Sequence, residues 1–184
     1  MLLRPSLARF WLSMLSIASL SVMLGQQTRK DVMVGGKLTA GFDMGVNSSE
    51  NKTNWLKSEE GQMRMAYPAD QSWGAVFITV GKPRQPPRPF RDFSGDNTLT
   101  VEMKGGVGGE QLEIGVKTNT QADDGSETKL PVKLTSEWKA YRFSLDRFDG
   151  ADLGKLYVVT EFVFSGGDAA TVFVRNIGFS SLPK

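Results

Sequence analysis

Hydrophobic and polar positions alternate along short segments of the chain, and no long stretch after residue 25 shows an apolar period of 3.6 residues. Alternation with period two is the pattern of a half-buried β-strand, and the Gly, Pro, Asp and Asn residues between the segments favour turns. Strands are predicted at residues 38–42, 62–67, 73–80, 98–104, 111–118, 130–134, 138–145, 156–164 and 171–179. About eight or nine strands at this spacing predict an all-β fold, a two-sheet antiparallel β-sandwich of jelly-roll type.

Two connections differ from the short glycine-rich turns. GKPRQPPRPFRDFSGDN, residues 81–97, contains prolines that cannot donate ladder hydrogen bonds, so it is predicted to cross the surface as an extended loop. DRFDGADLG, residues 146–154, predicts a short helical turn that Asp149 or Asp152 caps.

The first residues have the composition of a targeting segment. Arg4 and Arg9 precede the uncharged run FWLSMLSIASLSVMLG, which is short for a membrane span and is followed by the polar QQTRKD. We predict a cleaved signal peptide at residues 1–25, an N-terminal linker at 26–37 and the sandwich domain at 38–184. The prediction implies a secreted or periplasmic protein with no stable membrane insertion after cleavage. The alternative is an uncleaved anchor.

The charge balance and two missing residue types exclude several functions. The chain has a net charge of +2, and residues 1–25 contribute two arginines, which leaves 20 basic and 20 acidic residues in the rest. Since no Lys/Arg cluster stands out along the sequence, no nucleic-acid partner is predicted. The absence of His and Cys excludes a Ser-His-Asp triad, His-ligated zinc and a thiol nucleophile. Paired carboxylates remain the one enzymatic route.

The most apolar segment, TEFVFSGGDAATVFVRNIGF at residues 160–179, contains Glu161 and Arg175. It reads as a β-hairpin, and pairing Phe164 with Val172 places Glu161 opposite Arg175 as a cross-strand ion pair. Strand alternation gives neighbouring strands similar polar positions. We predict a ligand cleft that holds Glu113, Lys117, Arg142, Glu161 and Arg175. The alternative is a structural ion-pair network that binds no ligand.

Aromatic residues and the proline loop provide further candidates. Trp73 and Trp138 each open a strand and are predicted to be core or rim wedges rather than stacking platforms for a ligand. Trp55 lies in a polar segment and is the candidate for an exposed ring, with a lid over the bottom of the core as the alternative. In the proline loop, Arg91 and Asp92 adjoin an aromatic residue. They are predicted either to contact a ligand or to cover a sheet edge.

Three segments carry a family resemblance: LTSEWKAYRFSL, FDGADLGKL and the final VFVRNIGF. With them the chain resembles the galactose-binding-like jelly-roll carbohydrate-binding modules, of family 11 type and related exported bacterial proteins, over residues 38–182. The resemblance implies a non-catalytic domain that binds a polysaccharide or cell-surface glycan. Such modules commonly end on a strand of IDNI type, where this chain has Arg175-Asn176. No cofactor is predicted, and the departure gives no basis for predicting a structural calcium.

The leading hypothesis is therefore an exported, monomeric, non-catalytic glycan-recognition domain. One alternative is a structural or protein-interaction β-sandwich of the cell envelope, which would contact its partner through a sheet edge or the proline loop. The other is a small glycoside hydrolase that uses Glu113 and Glu161 as its two carboxylates.

Overall fold

The computed structural model describes residues 29–181, which form two antiparallel β-sheets packed face to face. The helical segments of these residues are two 3₁₀ turns, Leu145–Arg147 and Leu153–Lys155. The strands are β1 (Lys30–Val34), β2 (Lys37–Leu38), β3 (Phe42–Ser48), β4 (Leu56–Glu59), β5 (Gln62–Tyr67), β6 (Trp73–Val80), β7 (Thr98–Gly105), β8 (Gln111–Thr118), β9 (Lys129–Lys133), β10 (Lys139–Ser144), β11 (Leu156–Ser165) and β12 (Ala170–Ser180).

The two sheets have different strand orders. The seven-stranded sheet runs β10-β7-β12-β1-β2, with β5 paired to the first half of β12 and β4 paired to β5. The five-stranded sheet runs β3-β6-β11-β8-β9. Every strand pair is antiparallel, so one face of each sheet can pack on the core while the other faces outward.

The core lies between the sheets and follows from the alternation in the sequence. On β12, Val172 and Val174 are buried while Phe173 between them points outward and is half-buried. At one end of the sandwich the rings of Trp55, Tyr67 and Phe164 pack together, with centroids 5.1–5.7 Å apart. With no Cys in the chain, this packing of apolar side chains replaces disulfides as the source of stability.

The predicted fold class is confirmed. Strands β5, β6 and β8 have the predicted bounds, and Asp152 caps the second 3₁₀ turn by accepting a hydrogen bond from the Gly154 N–H at 3.0 Å. The prediction missed β1, β4 and most of β3. The linker assigned to residues 26–37 is wrong from Lys30 onward, since β1 pairs with β12 inside the seven-stranded sheet. A register shift between Asp31 and Met33 leaves both Val32 and Met33 buried, which hides the alternation of this strand.

The predicted hairpin of residues 160–179 is also wrong, because β11 and β12 belong to opposite sheets. Both edges of β11 are occupied by β6 and β8, and β12 pairs with β7, β5 and β1. The segment between them therefore crosses from one sheet to the other. Glu161 and Arg175 are consequently not cross-strand partners.

The predicted signal peptide, residues 1–25, lies outside the described residues. Among residues 29–181 there is no helix of the length and hydrophobicity that a membrane crossing requires.

Candidate functional site

The outward face of the five-stranded sheet forms the floor of an open groove of about 870 Å³. The strand register brings one residue from each strand into a single row across this floor: Gly45, Phe77, Glu161, Gly115 and Lys129. The volume is that of sites that bind small molecules or short chain segments. We call this surface the groove.

Two aromatic side chains on β6 contribute to the groove. Trp73 is 40 % exposed at the end of the strand. Phe77 lies over Gly45 on β3, where an added Cβ would come within 2.4 Å of the phenyl ring. A glycine at this position therefore lets the ring lie close to the sheet as part of the floor.

Two loops, residues 81–97 and 119–128, form one wall of the groove, and Arg88 joins them. The Arg88 guanidinium is buried; its Nη1 donates to the Gln121 carbonyl at 2.9 Å and its Nη2 pairs with the Asp123 carboxylate. It also lies 4.9 Å from the ring centroid of Tyr157, whose hydroxyl accepts a hydrogen bond from the Arg84 N–H at 2.8 Å. These contacts fix the wall to β11.

A compact cluster of charges lies beneath this wall. Glu127 Oε2 is 3.0 Å from Lys117 Nζ, and its Oε1 is 2.6 Å from Lys129 Nζ. Glu161 is only 6 % exposed and lies against Gly115, where a Cβ would be 2.3 Å from Glu161 Oε1. That oxygen has no hydrogen-bond partner among the described residues.

The two carboxyl groups of this cluster, Glu127 and Glu161, have very different pKa values. Burial raises the pKa of Glu161 to about 7, and the negative charge of Glu127 adds to the effect. Burial also opposes ionisation of Glu127, but hydrogen bonds from Lys129 and Lys117 outweigh it and lower the pKa of Glu127 to about 2. Near neutral pH the pair therefore consists of an ionised Glu127 and a Glu161 that holds a proton part of the time.

The structure brings together only some of the predicted site residues. Glu161 and Lys117 meet in the groove, and Glu113 lies on the same face, one row away, opposite Val163. Arg142 and Arg175 lie on the outer face of the other sheet, so the predicted convergence of all five groups is wrong. The physical reason is the crossing between β11 and β12, which sends the second charge to the opposite side of the sandwich.

The two predicted candidates of the proline loop lie outside the groove lining. Arg91 covers the ring of Phe42 at 4.2 Å and donates to the Ala40 carbonyl, at an edge of the five-stranded sheet. Asp92 accepts hydrogen bonds from the N–H and hydroxyl of Ser94, which stabilise a turn and hold the pKa of the Asp92 carboxyl below its usual range.

The aromatic predictions need correction as well. Trp55 is not the exposed ring but a core residue, 4 % exposed, whose indole N–H donates to the Lys52 carbonyl. Trp73, predicted to be a wedge, is the exposed one. The sequence reasoning missed Phe77, Glu127 and Lys129. Phe77 shares the outward face of Glu161 only because β6 is the neighbour of β11, and Glu127 lies in a loop that has no periodicity.

An open groove along one sheet of a β-sandwich, with aromatic rings beside hydrogen-bonding and charged groups, is the architecture of a carbohydrate-binding module. Rings pack on the C–H faces of sugars, and planar polar groups pair with the hydroxyls. A protein-family model described as carbohydrate binding domain 30 matches residues 26–181, and the chain belongs to this family.

Solved structures with the same fold are also carbohydrate-binding modules. The family 30 module of the cellulosomal cellulase Cel9D-Cel44B of Clostridium thermocellum aligns with a TM-score of 0.60 at 16 % identity, covering 85 % of this chain and 99 % of that one. A variant of a family 29 module in complex with mannohexaose aligns with a TM-score of 0.57 at 15 % identity, covering 85 % and 93 %. At such identities the likeness shows the fold alone. Comparison with the curated proteins finds no match.

The predicted class, a non-catalytic carbohydrate-binding module, is confirmed, while the family is 30 rather than 11. Modules of this kind are generally non-catalytic. Within residues 29–181 no group of three or more acidic side chains is arranged to hold a metal ion.

Proposed function

We propose that the groove binds a segment of a polysaccharide chain, and that the protein is an exported bacterial module that acts as a monomer. The observation that carries the proposal is the exposed Trp73 ring, which lies on the same strand as Phe77 and on the same floor as the charged cluster. An indole that remains 40 % exposed beside a groove offers an apolar surface that a pyranose ring can cover.

The polar groups around the groove have two roles in this proposal. Glu161 and Lys117 lie in the floor and are buried, so their role in this proposal is to set the shape and charge of the surface. Asn47, Arg84 and Asp124 are exposed at the edge and are placed to exchange hydrogen bonds with ligand hydroxyls. The ligand is then held by rings from below and by side-chain polar groups from the sides.

The cluster offers little for glycoside hydrolysis, and we propose no catalytic role for this domain. Glu161 Oε1 is inaccessible against Gly115, and the neighbouring carboxylate, Glu127, is held between two lysines. A hydrolase needs an acid and a second carboxylate that both reach the glycosidic bond. Incubation with soluble polysaccharides should accordingly release no reducing ends.

The experiment is affinity electrophoresis and calorimetry of the purified protein with soluble neutral polysaccharides. Family 29 module variants have been solved with mannohexaose and with cellulohexaose, so a mannan and a soluble cellulose derivative are the first ligands to test. Trp73→Ala should weaken binding by about tenfold or more, since an aromatic contact with its buried area is worth about 1–2 kcal/mol.

Phe90→Ala is the matched control, because Phe90 is also an exposed ring, 49 % accessible, but does not line the groove. Equal affinity of the two variants and the native protein, or no binding to any neutral polysaccharide, would refute the proposal.

A further inference from the structure

The outer face of the seven-stranded sheet, opposite the groove, carries a row of cationic and aromatic side chains. Lys57 on β4 pairs with Arg64 on β5, Arg64 pairs with Phe173 on β12, and Phe173 pairs with Lys104 on β7. Directly opposed residues of antiparallel strands share a face, so this row crosses four neighbouring strands, about 15 Å in all. Trp138 and Arg175 adjoin its β7 end. We call these residues the platform: Lys57, Arg64, Phe173, Lys104, Trp138 and Arg175.

The cations of the row lie outside the ion pairs that residues 29–181 form. Lys57, Arg64 and Lys104 form no ion pair within 4 Å among residues 29–181. In the groove, by contrast, Arg88, Lys117 and Lys129 all pair with carboxylates, and the lining has as many acidic as basic residues. Arg175 pairs with Glu102 through Nη2, but its Nε is buried and has no partner among the same residues. Of the acids on this face, Asp31 pairs with Arg29 and Glu102 pairs with Arg175, while Glu59 accepts a hydrogen bond from the neutral Gln62. The three unpaired cations therefore outnumber the one unpaired acid, which leaves the face with an excess of positive charge.

The aromatic rings hold the cations in place. The Lys104 ammonium lies 5.3 Å from the centroid of Trp138 and 5.2 Å from that of Phe173, and the Arg175 guanidinium lies 4.5 Å from Trp138. Cation–π contacts of this kind orient a charged group without neutralising it. Lys104 is therefore a half-buried cation whose position is fixed by the two rings. A bound anion would compensate this ammonium group for the water contacts that burial removes.

We propose that the platform is a second binding surface, for the carboxylate groups of an anionic polysaccharide. Lysine and arginine side chains would pair with carboxylates that recur along the polymer, and the exposed parts of the two rings would contact sugar C–H faces. The platform does not depend on the groove, because it lies on the opposite sheet. It would select anionic polymers, whereas the basic and acidic side chains of the groove balance each other.

Charge complementarity and overall composition favour this partner over the alternatives. A neutral glycan would leave the unpaired cations without a counterpart. A nucleic-acid-binding domain is typically basic as a whole, whereas this chain has equal numbers of basic and acidic residues after residue 25. The aromatic rings of Trp138 and Phe173 lie between cations, an arrangement that suits a polymer with both sugar rings and regularly spaced negative groups.

The test is affinity electrophoresis of the full chain in gels that contain polygalacturonate at low ionic strength, repeated with added salt. The native protein should be retarded, and the retardation should decrease as salt screens the contacts. The double charge reversal Lys104→Glu with Arg64→Glu should reduce the affinity by at least about tenfold. Since reversal on a sheet could disturb folding, the single Lys104→Gln variant with an unchanged thermal transition should show the same direction.

Lys52→Gln is the matched control, because Lys52 is exposed in the loop before β4 and its carbonyl accepts a hydrogen bond from Ser48 at the end of β3, in the other sheet. Trp73→Ala should retain polygalacturonate binding, and the platform variants should retain binding of neutral polysaccharide, so failure of either site is visible separately. The proposal is overturned if native protein is not retarded by polygalacturonate at low salt, or if the Lys52 and Lys104 variants behave alike. It is also overturned if duplex DNA of equal charge concentration binds more tightly through the same residues.

Discussion

At the scale of single residues, the groove depends on glycines that make room for larger neighbours. Gly45 accommodates the Phe77 ring and Gly115 accommodates the Glu161 carboxyl, and a Cβ at either position would lie closer to its neighbour than real contacts allow. These two glycines pair, across the sheet, with the residues that they accommodate. The floor is therefore shaped by two cross-strand pairs, in each of which a glycine leaves room for the large side chain of its partner.

The buried carboxyl of Glu161 gives the first prediction. Its pKa in the folded protein, about 7, lies above the ordinary value of 4.5, so the folded state favours the protonated form. The stabilisation is complete below about pH 4.5 and is lost as the pH rises through about 7. The melting temperature of the native protein should fall over this range, and Glu161→Gln should abolish most of that fall because the amide does not ionise.

The measurement is thermal unfolding from pH 4.5 to 8.5, with Glu137→Gln as the control, since Glu137 is exposed outside the groove. Below pH 4.5 both the native chain and the Gln variant should lose stability as Glu127, whose folded pKa is about 2, becomes protonated. If the native protein and Glu161→Gln show parallel melting curves between pH 4.5 and 8.5, Glu161 does not carry the buried proton.

At the scale of elements, alternation was sufficient to locate most strands but not to assign them to sheets. β11 and β12 each contain a charge among apolar residues and are joined by SGGDAA, which looks like a hairpin turn. Local pattern cannot distinguish a hairpin from a crossing between sheets, because both satisfy the same period-two burial. The partners of β11 are decided by β6 and β8, which lie at least 38 residues earlier in the chain.

The same limit explains which parts of the candidate site were predictable. Glu161 was identified because it is a charge within a strongly apolar strand, and Lys117 because it alternates with apolar residues along its strand. Phe77 and Lys129 reach the groove through neighbour relations that only the folded sheet defines. The platform as a whole was not predicted for the same reason: its cations come from separate segments of the sequence and become a cluster only when β4, β5, β12 and β7 pair.

The two loops of the groove wall give a second prediction. Arg88 is the buried link between residues 81–97 and 119–128, and Arg88→Ala removes its hydrogen bonds to Gln121 and Asp123 together with its contact on Tyr157. Loss of charged hydrogen bonds should lower the free energy of unfolding by about 1–3 kcal/mol. The wall should also open locally, because within residues 29–181 Arg88 makes the side-chain hydrogen bonds that join the two loops.

Limited trypsin digestion is the measurement, since the bond after Arg84 lies in this loop and is not followed by proline. Cleavage there should be faster in Arg88→Ala than in the control Arg91→Ala, whose guanidinium covers Phe42 at the sheet edge instead. Equal cleavage rates would show that the proline loop is held by other contacts. Binding of neutral polysaccharide should weaken in parallel with the loss of protection.

At the scale of the whole molecule, the sandwich separates two surfaces of different chemistry. The groove lies on the outward face of the five-stranded sheet and the platform on the outward face of the seven-stranded sheet, with the shared core between them. Packed sheets lie about 10 Å apart, so ligands on the two faces cannot touch each other. With both proposed sites in place the protein would hold two polymers at once, and the two sites should contribute independently because no charged residue is shared.

This separation leads to a prediction that depends on both proposed sites. Native protein should retain soluble polygalacturonate on a matrix of insoluble neutral polysaccharide, since one face holds the matrix and the other the anionic polymer. Trp73→Ala should lose the matrix, and Lys104→Glu with Arg64→Glu should bind the matrix but release the polygalacturonate. Phe90→Ala and Lys52→Gln should behave as native. Two outcomes would contradict this prediction: polygalacturonate is still captured after the platform reversal, or it is captured only at salt concentrations that screen ion pairs. In either case the ion pairs proposed on the seven-stranded sheet would not hold the anionic polymer.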